Sequence, residues 1–389
     1  MTLALGIRRR HAQHAHALAR GGARVGLLLL VGMSLAGACG GDERDTSGGG
    51  AGSGAHAGAG STGTGGAGGA GNPGTTPAWQ VALDEGDLDG AVLSIWGSGP
   101  EDVYAVGGPL GNSGPTSLVV HFDGASWRRL SPGGNETFWW VGGSGPDDVW
   151  MVGEGGRITH LGGQGFTEHT SGTTATLWGV WSAGPDEAWA VGGTPGGQAG
   201  EDDVVLHWDG TMWIREVLPG APLGRALYKV WGASADDVYV VGEAGVMWRR
   251  QAGTWTRLPE LTQSTLFTVT GCGPDEVWAV GGSSVLRAEG GEFTALDVSL
   301  PNLVNGVACG PPGSVLVVGS GGVKHRLVEG QWVSDFLDPP NDDLHSAWAD
   351  GQGAFWAAGG DFFTSPAAGP RRGVVARFGP GTVATSITP

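Results

Sequence analysis

The sequence predicts an all-β fold, a seven-bladed β-propeller whose blades are four-stranded antiparallel sheets. The segment GCGPDEVWAVGG at residues 271–282 recurs in imperfect copies about every 38 to 50 residues along a chain of 389 residues, and a repeat of this length indicates stacked supersecondary units. A glycine-containing hairpin turn follows every copy, as expected for a blade of four short strands. In each copy an aromatic or large apolar residue precedes a glycine by three positions: Tyr104/Gly107, Trp150/Gly153, Trp189/Gly192, Tyr239/Gly242, Trp278/Gly281, Leu316/Gly319 and Trp356/Gly359.

The third copy illustrates one predicted blade, with strands at residues 177–181, 188–191, 204–208 and 213–217 and the hairpin turn Asp209-Gly210 between the last two. Because neighbouring blades pack face to face, the strands should be apolar on both sides. The first strand agrees with this pattern, with one column apolar in all seven copies and the opposite column filled in large part by tryptophan. One of its columns is Ile95, Val141, Val180, Val230, Val269, Val307 and Ala347, and the opposite column contains Trp96, Trp181, Trp231 and Trp348.

A propeller must close its ring, because an open ring exposes strand edges. Residues 79–83 resemble a fourth strand that precedes the first repeat. We expect them to pair with the third strand of the last blade, residues 373–378. The alternative is that residues 382–387 take that place.

The repeats resemble known families. The diglycine after the second strand, with an aromatic in the fourth, resembles a Kelch-type blade, and Asp-Gly before Trp resembles a degenerate Asp-box of sialidase-like propellers. Across residues 93–378 the chain is similar to secreted or lipoprotein propellers of Gram-negative soil bacteria that carry WGSGPDDVWAVG repeats. This resemblance implies the architecture and an envelope address, and it specifies no ligand.

The N-terminal region has the pattern of an export signal. Residues 1–38 carry five arginines and then an apolar run that is too short to span a bilayer. The small residues before Cys39 resemble the lipobox of bacterial lipoproteins, which implies that Cys39 is the lipid-attachment site; cleavage after Ala38 by ordinary signal peptidase is the alternative. Residues 39–76, rich in Gly, Ala, Ser and Thr, are predicted to be a disordered linker, and residues 77–389 the propeller.

Charge and composition limit the partners. The formal net charge is −17, which disfavours nucleic acid. No sequence motif indicates a cofactor or a metal site, and we expect a monomer that meets the membrane only through its lipid anchor. The predicted location is the bacterial envelope, at the outer membrane, facing either the periplasm or the exterior.

Two cysteines and a set of paired charges have predicted structural roles. Cys272 and Cys309 occupy corresponding turns of blades five and six, where an oxidising compartment would let them bond; two free buried thiols are the alternative. A basic residue precedes each hairpin turn, at His121, His160, His207, Arg249, Arg287, Arg326 and Arg377, and five first turns carry an acid, at Asp102, Asp148, Glu187, Asp237 and Glu276. Because these pairs are spread around the ring, we interpret them as structural rather than catalytic.

Loop length points to a binding surface. The connections between second and third strands are long in blades one, three and seven. Long loops in a compact domain often have a function such as binding. We expect a contact patch where blades seven and one meet, and tolerated surface insertions are the alternative. The candidate residues are Asp361, Phe362, Phe363, Arg371 and Arg372 beside Asn112, with Trp140, Lys229 and His345 near the axis as weaker candidates.

The function predicted from these features is a non-catalytic binding or scaffold propeller, tethered to the envelope, that recognises a protein or carbohydrate on one face. The alternative is a sialidase-like glycoside hydrolase or a polysaccharide lyase. No catalytic residue is assigned, because the chain has no nucleophile elbow and no HExxH motif.

Overall fold

The computed structural model describes residues 76–85, 88, 90–108, 117–196, 201–361 and 372–388. The predicted signal peptide, Cys39 and the predicted linker up to residue 75 lie outside the described residues. The described residues form seven sheets and contain no α-helix. This confirms the predicted seven-bladed propeller of four-stranded antiparallel blades.

Twenty-nine strands follow one another along the described chain. In order they are β1 (Ala78–Glu85), β2 (Ala91–Gly99), β3 (Asp102–Gly108), β4 (Leu118–Phe122), β5 (Trp127–Arg129), β6 (Phe138–Gly145), β7 (Asp148–Gly153), β8 (Ile158–Gly162), β9 (Gly165–His169), β10 (Leu177–Gly184), β11 (Glu187–Gly192), β12 (Val204–Trp208), β13 (Trp213–Glu216), β14 (Leu227–Ser234), β15 (Asp237–Gly242), β16 (Met247–Gln251), β17 (Thr254–Arg257), β18 (Thr268–Gly273), β19 (Glu276–Gly281), β20 (Ser284–Glu289), β21 (Glu292–Leu296), β22 (Val304–Cys309), β23 (Val315–Gly319), β24 (Val323–Val328), β25 (Gln331–Ser334), β26 (Asp343–Ala349), β27 (Phe355–Gly360), β28 (Gly373–Gly379) and β29 (Ile387–Thr388). Short 3-10 turns, Glu154–Gly156, Glu243–Gly245 and Ser320–Gly322, join the second and third strands of blades two, four and six.

Blades one to six each use four consecutive strands, β2 to β25, and blade seven combines β26, β27 and β28 with β1 from the N-terminal end of the fold. β1 runs antiparallel to β28, with Trp79 opposite Phe378 and Glu85 opposite Gly373. The predicted ring closure is therefore confirmed. The alternative is wrong, because the C-terminal strand β29 pairs instead in parallel with β5 of blade one, with Ile387 opposite Trp127.

The core lies between the blades. The second strand of a blade is buried on both sides, as in β7, β23 and β27, whose residues are all buried. The fourth strand forms the rim, and most residues of β17 and β25 are exposed. The spacing of aromatic residue and glycine that recurs in the repeats thus identifies the second strand, which the blades on both sides cover.

Indoles from the first strand pack against glycines of the next blade. A Cβ atom on any of these glycines would lie 2.8 Å or less from Cη2 of the facing tryptophan, closer than two carbon atoms can approach. Glycine is therefore the residue that lets the blades approach. The four pairs are Trp96 on Gly143, Trp181 on Gly232, Trp231 on Gly271 and Trp348 on Gly97.

Three pairs of neighbouring blades lack this tryptophan. In these pairs the residue on the next blade that corresponds to the contacted glycine is not glycine. The first-strand residue is Gly142, Thr270 or Ala308 in place of tryptophan, and the facing residues are Ser182, Cys309 and Ala349. Between blades five and six a disulfide joins Cys272 to Cys309, with a Cα–Cα distance of 5.0 Å. The predicted bond is confirmed, and it joins two blades that no tryptophan wedge connects.

The wedge predicts a coupled pair of mutations. We expect Gly271→Ala to destabilise the protein by about 1 to 3 kcal/mol, because the added methyl overlaps the Trp231 indole. In a Trp231→Ala background the same substitution should cost less, because the obstacle is gone. Equilibrium denaturation of the four variants measures this coupling. Gly145→Ala is the control, since a Cβ there would meet nothing within 4 Å, and additive effects of Trp231→Ala and Gly271→Ala would contradict the wedge.

Candidate functional site

The axis of the ring is filled by residues on β-bulges. Near the start of the first strand the pairing register shifts in blades one, two, three, four, six and seven, which leaves one residue of each blade out of the ladder. A bulge re-aims the side chain it carries. The bulged residues are Leu93, Trp139, Trp178, Tyr228, Asn305 and His345.

Rings from four of these positions and the ring of Phe267 from blade five contact one another around the axis. Trp139 lies 4.6 Å from Trp178 between ring centroids, Trp178 lies 5.5 Å from Tyr228, and Tyr228 lies 5.3 Å from Phe267. Trp139 of blade two also lies 6.2 Å from His345 of blade seven. We call Trp139, Trp178, Tyr228, Phe267 and His345 the axial aromatic layer.

Lys229 lies next to this layer, one residue after its bulge. Its Nζ donates a hydrogen bond to the carbonyl of Trp178 at 2.9 Å and sits 3.0 Å from the ring centroid of Trp140. The residue between them in the ring is Gly179, where a Cβ would lie 3.2 Å from the Lys229 Cδ. The missing side chain at Gly179 therefore lets Lys229 of blade four reach across blade three to Trp140 of blade two.

Burial makes this lysine hard to charge. Lys229 is 3% exposed, and its burial lowers the pKa of the ammonium well below the ordinary value of 10.5. His345 Nδ1 donates to the carbonyl of Leu93 at 2.6 Å. Burial, reinforced by the positive charge of Lys229, lowers the pKa of His345 to about 4 although that hydrogen bond acts in the opposite direction. The structure thus brings together Trp140, Lys229 and His345, the three candidates predicted near the axis.

The described residues form an axial cavity and a groove on the loop face. The axial cavity has a volume of about 280 Å³ and extends from Lys229 and Trp140 toward the far ends of the first strands, where the half-buried indoles of Trp96, Trp181, Trp231 and Trp348 line it. The second site, the loop-face groove, has a volume of about 790 Å³. It lies on the face that carries the blade-to-blade connections, along blades one to three.

The loop-face groove combines carboxylates with a single arginine. Glu136, Glu154, Glu168 and Glu201 line it together with several glycines. Two contacts hold the guanidinium of Arg157 in place: Nη2 donates to Glu168 at 2.6 Å, and Nη1 donates to the Ser117 hydroxyl at 2.7 Å. Sequence reasoning missed this groove, because its walls come from the turns and connections of three blades.

Glu201 is held as an ionised carboxylate. The Thr173 hydroxyl donates to it, and this bond lowers the pKa of Glu201 below its usual range, although partial desolvation acts in the opposite direction. The backbone N–H groups of Thr174 and Ala175 donate to it as well, each at 3.2 Å. The groove therefore presents fixed negative charge beside exposed backbone.

The patch predicted at blades seven and one is described only in part. The Asp361 N–H donates to the carbonyl of Arg372 at 2.9 Å, so these two residues close the base of the loop. Arg372 forms ion pairs with Asp84, at 2.8 Å from Nη2, and with Asp342 at 3.5 Å. Phe362, Phe363, Arg371 and Asn112 lie outside the described residues, and their role stays a prediction.

The charges predicted to pair do so within each blade. The five pairs are His121–Asp102 at 2.7 Å, His160–Asp148 at 2.9 Å, His207–Glu187 at 2.7 Å, Arg249–Asp237 at 2.7 Å and Arg287–Glu276 at 2.9 Å. Each base also lies over the second-strand aromatic directly opposite it in register, as His160 does on Trp150 at 4.1 Å between centroids. Arg326 instead pairs with Asp335, and Arg377 donates to the carbonyl of Pro380.

Asp148 is the most heavily bonded of these acids. Its oxygens accept from the hydroxyls of Ser144 and Ser182, each at 2.6 Å, from Trp150 Nε1 at 2.8 Å and from His160 Nε2 at 2.9 Å. Burial favours the neutral acid, but the hydrogen bonds outweigh it and lower the pKa of Asp148 to about 2. Ser182 belongs to blade three, so the carboxylate joins two blades that lack a tryptophan wedge.

Fold and site together define a seven-bladed β-propeller with an aromatic axis and a groove on its loop face. No protein-family model matches the chain, and no curated protein matches it. Among solved structures it is similar to YCF48 bound to D1 peptide, with 14% identity, a TM-score of 0.57 and coverage of 77% of this chain and 96% of the other.

Two further structures are similar at the same level. YCF48 from Cyanidioschyzon merolae has 17% identity, a TM-score of 0.56 and coverage of 77% and 98%. The WD40 β-propeller domain of Doa1 has 10% identity, a TM-score of 0.57 and coverage of 76% and 96%. At these identities the likeness establishes the fold.

Two further findings concern the described residues alone. They contain no cluster of three or more metal-ligating side chains that could hold an ion. Across the same part of the chain, no helix combines the length and the apolar character needed to cross a bilayer.

Asp148 gives a pH-dependent prediction. We expect Asp148→Asn to reduce the free energy of unfolding by about 2 to 3 kcal/mol at neutral pH, because a pKa lowered by nearly two units represents that much stabilisation of the charged form. This contribution is present above pH 3.8 and is lost as the pH falls toward 2. Urea titrations at pH 7 and at pH 2.5 to 3 should therefore show the deficit shrinking. The exposed neighbour Asp147→Asn is the control; a deficit independent of pH would contradict the assignment.

Proposed function

We propose that this protein is a non-catalytic binding or scaffold propeller that takes a protein segment into its loop-face groove. The observation that supports this most is the groove itself, which has a volume of about 790 Å³ and is built mainly from the connections of three blades. Loops held by a rigid scaffold are where binding residues concentrate. Exposed backbone at the glycines of the groove offers hydrogen-bonding partners for an extended chain.

Charge favours a basic segment as the partner. Four carboxylates line the groove against one arginine, and Arg157 is already engaged by Glu168 and by Glu136 at 3.7 Å. The whole chain carries a net charge of −17, which steers positively charged partners toward it. The side chain of Glu136 is about half exposed, 49%, so a lysine or arginine of a ligand can approach its carboxylate from solvent.

A similar structure supports a peptide as the ligand. YCF48 bound to D1 peptide has this fold, so a propeller of this shape accommodates a peptide. The hydrolase alternative requires a carboxylic acid that stays protonated to act as general acid. Glu201, whose pKa is lowered, has the opposite tendency and does not meet this requirement.

We further propose that the propeller is exported and tethered to the bacterial envelope through lipid on Cys39, as one of the secreted or lipid-anchored propellers that its repeats resemble. The apolar run and the small residues before Cys39 support this address. The glycine-rich residues that follow would give the domain reach from the membrane.

Substitution of Cys39 tests the anchor. In a Gram-negative host we expect wild-type protein in the membrane fraction with incorporated palmitate, and Cys39→Ser in the soluble fraction without label, because acyl chains supply the membrane affinity. The double variant Cys272→Ser/Cys309→Ser is the control and should retain both label and membrane association. Unlabelled, soluble wild-type protein would indicate cleavage after Ala38 instead.

Charge neutralisation tests the groove. A fluorescent nine-residue peptide with three lysines should bind the wild-type propeller in fluorescence anisotropy, and the same peptide with glutamates should not. Glu136→Gln/Glu154→Gln should weaken binding about fivefold or more, since each lost charge contact is worth up to about 1 kcal/mol. Glutamine keeps the acceptor oxygens that the backbone N–H groups of Asn135 and Thr137 use.

The matched control for that experiment removes two exposed acids from the opposite face, Glu101→Gln/Asp186→Asn. It changes the net charge equally and should leave the affinity unchanged. A photocrosslinking residue at Thr174 in the groove should then capture the natural partner from envelope fractions, while the same residue at Asp186 should not. Equal weakening by both double variants would show an unspecific charge effect and would remove the groove as the site.

A further inference from the structure

The axial cavity contains an amine with no acidic partner. Lys229 Nζ donates one hydrogen bond, to the carbonyl of Trp178, and lies over the face of Trp140. Among the described residues no carboxylate forms an ion pair with it, and burial alone accounts for its lowered pKa. Buried ammonium groups are normally paired, so this lysine is an exception within the described part of the chain.

The walls of the cavity are aromatic. Trp140 and the four wedge tryptophans line it, together with the apolar first-strand column that begins at Ile95. A volume of about 280 Å³ is slightly below the range of sites for drug-sized molecules, so the cavity suits a ligand with one ring. Indole faces and edges bind planar apolar groups through offset or edge-to-face contacts.

Three features select the charge of the ligand. A tryptophan cage alone would suit an organic cation, but here the Lys229 amine already occupies the face of Trp140 that a cation would need. A phosphate would leave excess negative charge on a single amine, and no arginine lines the cavity. A monocarboxylate brings one unit of charge and satisfies a lysine that lacks an acid.

We propose that the axial cavity binds a small aromatic monocarboxylate, with its carboxylate on Lys229 Nζ and its ring among the tryptophans. Gly179 supports this proposal, because its lack of a side chain leaves room for the Lys229 side chain to extend toward Trp140. The cavity shares no lining residue with the loop-face groove. This site is therefore separate from the proposed peptide groove, and the proposal does not depend on the proposed function.

Calorimetry with matched probes tests the proposal. Phenylacetate should bind with one site per chain, and phenylacetamide, which has the same shape without the charge, should bind at least tenfold more weakly. Repeating the phenylacetate titration near neutral pH in two buffers of different ionisation enthalpy should reveal proton uptake, because the amine is easier to protonate once the carboxylate is present. Equal affinity for acid and amide, or no saturation at millimolar concentrations, would overturn the proposal.

The two lysines of the chain, Lys229 and Lys324, provide a matched pair of variants. Both are buried, and Lys324 Nζ donates to the carbonyls of Gly322 and Pro340, each at 2.8 Å, away from the axis. Lys229→Met should weaken phenylacetate binding at least tenfold, whereas Lys324→Met should leave it unchanged. Loss of affinity in both variants, or in neither, would contradict the assignment.

A labelling experiment on the wild-type protein covers the case in which Lys229→Met does not fold. Acetic anhydride modifies accessible neutral amines, and mass spectrometry distinguishes the peptides that contain the two lysines. Saturating phenylacetate should reduce the labelling rate of Lys229 severalfold without affecting Lys324. Protection of neither lysine, or of both equally, would overturn the proposal.

Discussion

The packing of an indole from one blade onto a glycine of the next is the contact on which the ring depends. Burying half of an indole contributes on the order of 2 to 3 kcal/mol, and the gain is available only where the facing residue has no Cβ. Trp231 on Gly271 shows the constraint most severely, because a methyl group there would overlap several atoms of the indole. The spacing between blades is thus set by matched pairs on neighbouring repeats, in which a tryptophan side chain packs against a glycine that has no side chain.

Where the wedge is missing, other contacts join the blades. Blades two and three share the carboxylate of Asp148, to which Ser182 donates. Blades five and six share the disulfide between Cys272 and Cys309. At the boundary of blades six and seven a Cβ on Gly310 would collide with the ring of Phe355, so an aromatic and a glycine again meet, with the aromatic now on the later blade. Each boundary needs a specific contact because an unsupported one would leave two apolar sheet faces free to separate.

The sequence could predict whatever follows from period and strand register. The pairing of His160 with Asp148 was predictable because each holds a fixed place in its repeat, the acid at the first turn and the base before the hairpin turn, and these places lie on neighbouring strands. The axial aromatic layer was not predictable, because bulges shift the pairing by one residue and re-aim side chains such as Trp139 and Tyr228. The loop-face groove was missed for a different reason: Glu136, Glu154 and Glu201 belong to three connections whose relative positions only the closed ring determines.

Positions that break the repeat pattern separate structural from functional demands. The column that contains Lys229 holds serine, tryptophan, glycine, threonine, glycine and serine in the other blades, so no common packing rule requires a lysine there. Desolvating its ammonium costs free energy, and Gly179 must stay small to admit its side chain. A methionine of similar length would fill the same space without that cost. Because the boundaries between blades supply the stability, the ring can bear an unpaired amine at its centre, and the proposed aromatic monocarboxylate would supply the missing negative charge.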